Sequence, residues 1–102
     1  MYFVADHTDA GLTSYTKLLA EKYLGFKSSD VEDIECGYAC SDHASWNRQG
    51  VAAVFPFEAT FQNYNKQIHT SADTLSLVDM SHAFKYVRLA GIFVADLAEV
   101  VQ

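Results

Sequence analysis

At 102 residues, half of them hydrophobic, the chain has the apolar content for one small domain with a single core, and no second domain is expected. Seven basic side chains against 13 acidic ones leave a net charge of -6, which offers no electrostatic footprint for nucleic acid or an anionic membrane. No apolar run approaches the length of a membrane span.

The opening Met1-Tyr2-Phe3-Val4-Ala5-Asp6 has neither the basic start nor the apolar length of a signal peptide, so the chain is expected to carry no export address of its own. Residues 2–5 are a short β-prone run, read as a buried strand. His7 and Asp9 have the H-x-D spacing that can supply a metal ligand and its carboxylate partner. We take them as structural instead, with Thr8 or Asp9 capping the next helix. Over residues 12–24, Leu12, Tyr15, Leu19 and Tyr23, with Leu18 alongside, recur at helical spacing, and Gly25 stands where a C-terminal cap belongs. A polar connection containing Lys27-Ser28-Ser29-Asp30 follows, and residues 31–35 form a strand that feeds Cys36-Gly37-Tyr38-Ala39-Cys40.

Three states are open to these two cysteines, spaced C-x3-C. A local disulfide requires a turn that brings the Cα atoms within bridging range, and an oxidising compartment. Paired metal ligation is weak, because a structural zinc takes four ligands and the sequence has no second such pair. Two independent buried thiols complete the set.

Ser41 or Asp42 caps a short helix through Ala44, Ser45 and Trp46 that ends at Gly50. Ser41, Asp42 and His43 include the three residue types of a hydrolytic triad, yet consecutive residues cannot converge on one proton path. Asp42 and His43 are expected to brace the rim through hydrogen bonds to backbone. Val51-Ala52-Ala53-Val54-Phe55 is continuously apolar, the pattern of a strand covered on both faces as in a parallel sheet, and Pro56 stops its ladder. Residues 57–66 make a loop rich in aromatic and amide side chains. His69 stands at the end of a polar loop, where a neutral imidazole is a ready ligand for zinc. Phe84, Val87, Gly91, Val94, Leu97 and Val101 form the stripe of a long C-terminal helix capped by Asp79 or Ser81. Glu58, Asp73 and Asp79 are read as solvated loop residues or caps, and His82 as solvent-facing.

This alternation predicts an α/β fold, three-layer αβα with a mainly parallel sheet, and three strands make that sheet narrow. Ligands in such folds gather beyond the carboxyl ends of the strands. That places the cysteine turn, the Pro56-Phe57 corner and the His69 loop at one rim.

The run from Cys36 to Trp46, then Phe55-Pro56-Phe57-Glu58, then Ile68-His69-Thr70, in that order and spacing, resembles the secreted bacterial leucyl aminopeptidases of the zinc-dependent M28 peptidase family. The resemblance covers nearly all of the chain and is closest from Cys36 to Thr74. It implies that residues 1–102 are the C-terminal portion of a zinc aminopeptidase catalytic domain, with a sheet incomplete relative to the whole. In that family two zinc ions share a bridging aspartate and water, each ion has one histidine and one further carboxylate, and a glutamate acts as general base. Only His69 matches a metal ligand, the family's last. The H-x-D motif, the bridging aspartate, the Glu-Glu pair and the remaining ligand belong upstream of Met1, so no catalytic residue is assigned. The chain alone is expected neither to hold the two-zinc centre nor to turn over substrate.

By the same resemblance, Ser41 matches a position whose hydroxyl approaches the metal-binding histidine and fixes its tautomer. Cys36, Tyr38, Cys40, Phe55, Phe57, Phe61, Tyr64 and Ile68 match the apolar recess for the substrate's N-terminal side chain, where a leucine-sized group gains roughly 1.5 to 3 kcal/mol. Phe55 departs from the pattern, being larger than the usual unbranched aliphatic residue. The resemblance also implies a Cys36 to Cys40 disulfide and a secreted or periplasmic location. The expected partners are peptide N-termini in the full enzyme, and either a second copy or the missing N-terminal part, because a cut sheet exposes strand edges. The competing expectation is a non-catalytic α/β module whose aromatic rim binds a peptide or partner.

Overall fold

The structure, a computed structural model, describes residues 1–98. Strand β1 (Tyr2–Val4) lies at the centre of a three-stranded sheet, between β2 (Glu32–Ile34) and β3 (Pro56–Phe57). β2 runs parallel to β1, with Tyr2 opposite Glu32 and Val4 opposite Ile34. β3 runs antiparallel, with Tyr2 opposite Phe57 and Phe3 opposite Pro56. The sheet is therefore mixed, which corrects the expectation of a mainly parallel one. A parallel pair needs a crossover, and helix α1 (Ala10–Leu24) supplies it.

Residues 51–55 are not a regular strand, and the ladder begins at Pro56, the residue expected to end it. They do run along the sheet: Val4 donates its N–H to the Phe55 carbonyl and Asp9 donates to the Ala53 carbonyl, both at 2.9 Å. Antiparallel pairing turns alternate peptide groups toward the neighbouring strand. Phe55 and Phe57 face β1, so the nitrogen of Pro56 looks outward, where an edge strand loses no ladder bond.

α1 begins where Asp9 Oδ1 accepts the Leu12 N–H at 2.8 Å, and it ends at Gly25, whose φ of +73° is the left-handed cap geometry. Its buried side is Thr13, Thr16, Leu19 and Ala20, whereas Leu18 and Tyr23 of the expected stripe are exposed. The two threonines donate to the carbonyls of Asp9 and Leu12 at 2.7 and 2.8 Å, so they enter the interior with their hydroxyls satisfied. Phe3, Leu19, Ala20, Val31 and Leu89 form the core, with Tyr15, Phe26, Val54 and Phe93 packed around it.

Helix α3 (Met80–Leu97) is capped by Asp79, which accepts the N–H groups of Ser81 and His82 at 3.0 and 3.1 Å. It packs on α1 through Leu89, Ile92 and Phe93. The expected stripe faces the other way: Phe84, Val87, Val94 and Leu97 are 51–64% exposed, Gly91 is exposed, and Val101 lies outside the described residues. α3 is apolar on two sides, and burial of Leu89 selects the one that sequence periodicity did not favour. Among the described residues no helix is long and apolar enough to cross a membrane.

Side chains alternate across the sheet, so Val4 and Phe55 project opposite Phe3. Helix α2 (Asp42–Arg48) lies on that second side, its His43 ring 4.7 Å from the ring of Phe55. The chain exposes 6938 Å² in all. A compact monomer of its 11.4 kDa mass exposes about 5,800 Å².

Candidate functional site

The parallel register of β1 and β2 brings their carboxyl ends side by side, and that juxtaposition builds one wall of a rim. Asp6, just past β1, accepts the N–H groups of Cys36 and Gly37 on its two carboxylate oxygens, at 2.9 and 2.8 Å. Burial pushes the Asp6 carboxyl up, but the N–H groups of Cys36, Gly37 and Asp6 itself, with His7 nearby, together outweigh it and leave its pKa below the ordinary value. Gly37 takes the left-handed φ of +85° that the turn requires. Cys36 and Cys40 are joined by a disulfide across a Cα separation of 6.2 Å, which decides among the three states open to them. The turn presents Tyr38 to solvent at 67% exposure.

Aromatic rings form the facing wall. Phe57 lies 5.5 Å from Phe55, 4.9 Å from Phe61 and 5.8 Å from Tyr64, ring centre to ring centre. Lys66 pins this loop by donating to the Phe61 carbonyl at 2.6 Å while its ammonium stands 3.6 Å from the Tyr64 ring centre. Tyr86 of α3 donates its phenol to the Phe57 carbonyl at 2.6 Å. Burial, with Glu58 and Tyr2 nearby, pushes that phenol up to about 12. His82 does not simply face solvent as expected: its Nε2 lies 3.2 Å from the Glu58 carbonyl oxygen and its ring meets Tyr86 edge-on.

His69 is exposed, in a tight turn with a φ of +66°. Cys36, Tyr38, Cys40, Ser41, Phe55, Phe57, Phe61, Tyr64, Lys66, Ile68 and His69 line a single hollow of about 390 Å³. Every residue assigned to a recess from the sequence thus faces the same space as His69 and Ser41. Lys66 and Asp6 are the two contributors that sequence reasoning missed. Lys66 was legible as the lone cation of an aromatic loop, whereas Asp6 acts only once β1 and β2 are paired.

Ser41 occupies the N-cap position of α2 but its side chain makes no cap bond. His43 is buried with neither ring nitrogen hydrogen-bonded, so the expected bracing through backbone is absent. Burial lowers its pKa and favours the neutral ring. A second hollow, about 570 Å³, lies between His43, Trp46, residues 51–55 and Phe93. Asp9 and Asp79 serve as helix caps, and Glu58 and Asp73 are exposed.

Among the described residues, no three His, Cys, Asp or Glu side chains stand together as a cage for a metal ion. His69 belongs to no such group among the described residues, and both sulfurs are committed to the disulfide. What the rim offers is a concave aromatic surface able to enclose an apolar side chain, with one imidazole in its lining.

A family model described as peptidase family M28 matches residues 1–91. A probable leucine aminopeptidase of Arthroderma benhamiae is 37% identical over 94 residues, which are 92% of this chain and 25% of that relative. Another, of Arthroderma otae, is 37% identical over 98 residues, 96% of this chain and 27% of that relative. The solved structure of the Legionella pneumophila LapA aminopeptidase matches with a TM-score of 0.88 at 37% identity, covering 99% of this chain and 27% of its own. LapB from Legionella pneumophila matches with a TM-score of 0.87 at 32% identity, covering 97% of this chain and 26% of its own. The chain therefore spans about a quarter of the length of the relatives it matches.

Proposed function

We propose, from the premise that this chain belongs to peptidase family M28, that it is one portion of a metal-dependent aminopeptidase and supplies the recess for the substrate's first side chain. The observation that carries this is the convergence of Phe57, Phe61, Tyr64, Ile68 and the disulfide turn around one hollow that also includes His69. Enclosing a leucine-sized side chain there contributes roughly 1.5 to 3 kcal/mol of binding, and that preference is directed at peptides with apolar N-terminal residues.

His69 is the one metal ligand this chain brings to a zinc centre whose remaining ligands and general base come from polypeptide preceding residue 1. Zinc, when held by the complete set, polarises the scissile carbonyl and acidifies the attacking water. Ser41 lines the same hollow, and orienting the imidazole in the complete centre is the role assigned to its hydroxyl, which makes no hydrogen bond to His69 in this chain. Residues 1–102 are the C-terminal portion of a three-layer catalytic domain whose further strands extend the mixed sheet. The oxidised Cys36 and Cys40 suit a secreted or periplasmic enzyme. The net charge of -6 argues against nucleic acid and anionic membranes as partners.

The test is complementation. The 102-residue chain is co-expressed with the LapA polypeptide that precedes the matched segment, and hydrolysis of leucine and alanine anilides is compared. Turnover is expected only in the mixture, and Phe61→Ala should reduce kcat/KM for leucine relative to alanine about tenfold. An unchanged leucine preference would remove the recess from the account.

A further inference from the structure

One full charge stands among the aromatic rings of the rim hollow. Among the described residues, Lys66 is the only lysine or arginine that lines it, and no carboxylate does. Its ammonium stands 3.6 Å from the centre of the Tyr64 ring and donates to the Phe61 carbonyl at 2.6 Å. Tyr64 and Phe61 line the same space, their ring centres 6.0 Å apart, so the charge is held at the wall although the residue as a whole is exposed. An ammonium carries several N–H donors, and the Phe61 carbonyl takes one. Among the described residues no Asp or Glu pairs with it, whereas Lys17 has Asp33. Holding the loop uses the carbonyl bond and the ring contact. The uncompensated charge is left to act on whatever enters the hollow, and beside aromatic walls it acts more strongly than on open surface.

We propose that Lys66 sets the charge selectivity of the recess, favouring a first residue that carries a carboxylate on an apolar stem, glutamate above all, and disfavouring lysine and arginine. The proposal rests on the reading of this hollow as the recess for the substrate's first side chain. The methylenes of glutamate lie on the rings of Phe57 and Phe61, and its carboxylate takes the place of water at the open donors of the ammonium. A lysine or arginine in the same position brings a like charge to a lining that holds no carboxylate to balance it. Leucine meets neither effect and is the reference substrate. Because Lys66 is exposed, solvent screens the pair, and each effect amounts to about fivefold in binding.

The assembly of the 102-residue chain with the LapA polypeptide preceding the matched segment is assayed on glutamyl, leucyl and lysyl anilides, as wild type and as Lys66→Met, Lys66→Arg and Lys66→Glu. Methionine keeps an unbranched stem and drops the charge, whereas arginine keeps the charge. In Lys66→Met the glutamyl-to-leucyl ratio of kcat/KM should fall about fivefold and the lysyl-to-leucyl ratio should rise about fivefold. Lys66→Glu should carry both changes further, Lys66→Arg should hold both ratios within about twofold, and high salt should shrink the wild-type preference. A second readout needs no turnover. On the 102-residue chain alone, Tyr64 ring and Ile68 methyl shifts are followed by NMR, and glutamate α-amide should bind about fivefold more tightly than lysine amide, a difference that Lys66→Met removes. Equal binding of the two amides would overturn this inference. So would variants that lower all three anilides together with their ratios unchanged, the result of a purely structural pin, and leucine anilide hydrolysis would then leave the peptidase reading standing. A wild-type assembly that hydrolyses none of the anilides would overturn both.

Discussion

Replacing Asp6 by alanine should loosen the cysteine turn and expose how much of the rim one carboxylate holds. Asp6 accepts two N–H groups, from Cys36 at 2.9 Å and from Gly37 at 2.8 Å. Hydrogen bonds to a charged acceptor contribute about 1.5 to 3 kcal/mol each when removed from water. Asp6 is only partly buried, so water takes over part of the lost interaction, and about 2 kcal/mol is expected for the pair. In a domain of this size that corresponds to roughly 10 °C in Tm. The pH dependence has a definite sign. With a folded pKa below its unfolded value, Asp6 adds stability that is fully present above the ordinary carboxylate range and disappears as pH falls through the folded pKa. Urea denaturation of wild type, Asp6→Asn and Asp6→Ala at pH 7 and pH 3 is the assay. The three proteins should differ at pH 7, and the gap should narrow as the solution is acidified. An Asp6→Ala midpoint equal to wild type at pH 7, with unchanged acid sensitivity, would refute the reasoning.

Leu89→Ala removes a side chain that is 2% exposed at the contact of α3 with the core, and should cost about 2.5 to 4 kcal/mol in denaturant unfolding. The double change Cys36→Ser and Cys40→Ser opens a short loop and should cost about 2 kcal/mol by loop-closure entropy, a difference that vanishes when both proteins are unfolded under reducing conditions. Tyr86→Phe strips the Phe57 carbonyl of its phenol donor and should lower stability by about 1 to 2 kcal/mol, while abolishing the tyrosine titration near pH 12.

Local chemistry was the most legible part of this chain. Asp9, Gly25 and Asp79 mark helix ends from the sequence alone because a cap needs only its nearest neighbours. The residues around the rim hollow were named through a motif whose order and spacing survive in one dimension, and the structure brings them to one space. What escaped depends on pairings that sequence does not display. Asp6 reaches Cys36 across 30 residues, and His82 reaches the carbonyl of Glu58 across 24. The direction of β3 turned on Pro56, read as a stop although its nitrogen faces outward on an edge strand. On α3 both Leu89 and the Phe84, Val87, Val94 stripe are apolar, and helical period cannot say which side meets α1.

The most direct measurement is zinc content by mass spectrometry on the purified 102-residue chain, paired with leucine anilide hydrolysis by the same sample. A lone imidazole and an aromatic recess predict substoichiometric zinc and no turnover from this chain, with both appearing once the preceding polypeptide is supplied. Two bound zinc ions and robust hydrolysis by the chain alone would contradict the account.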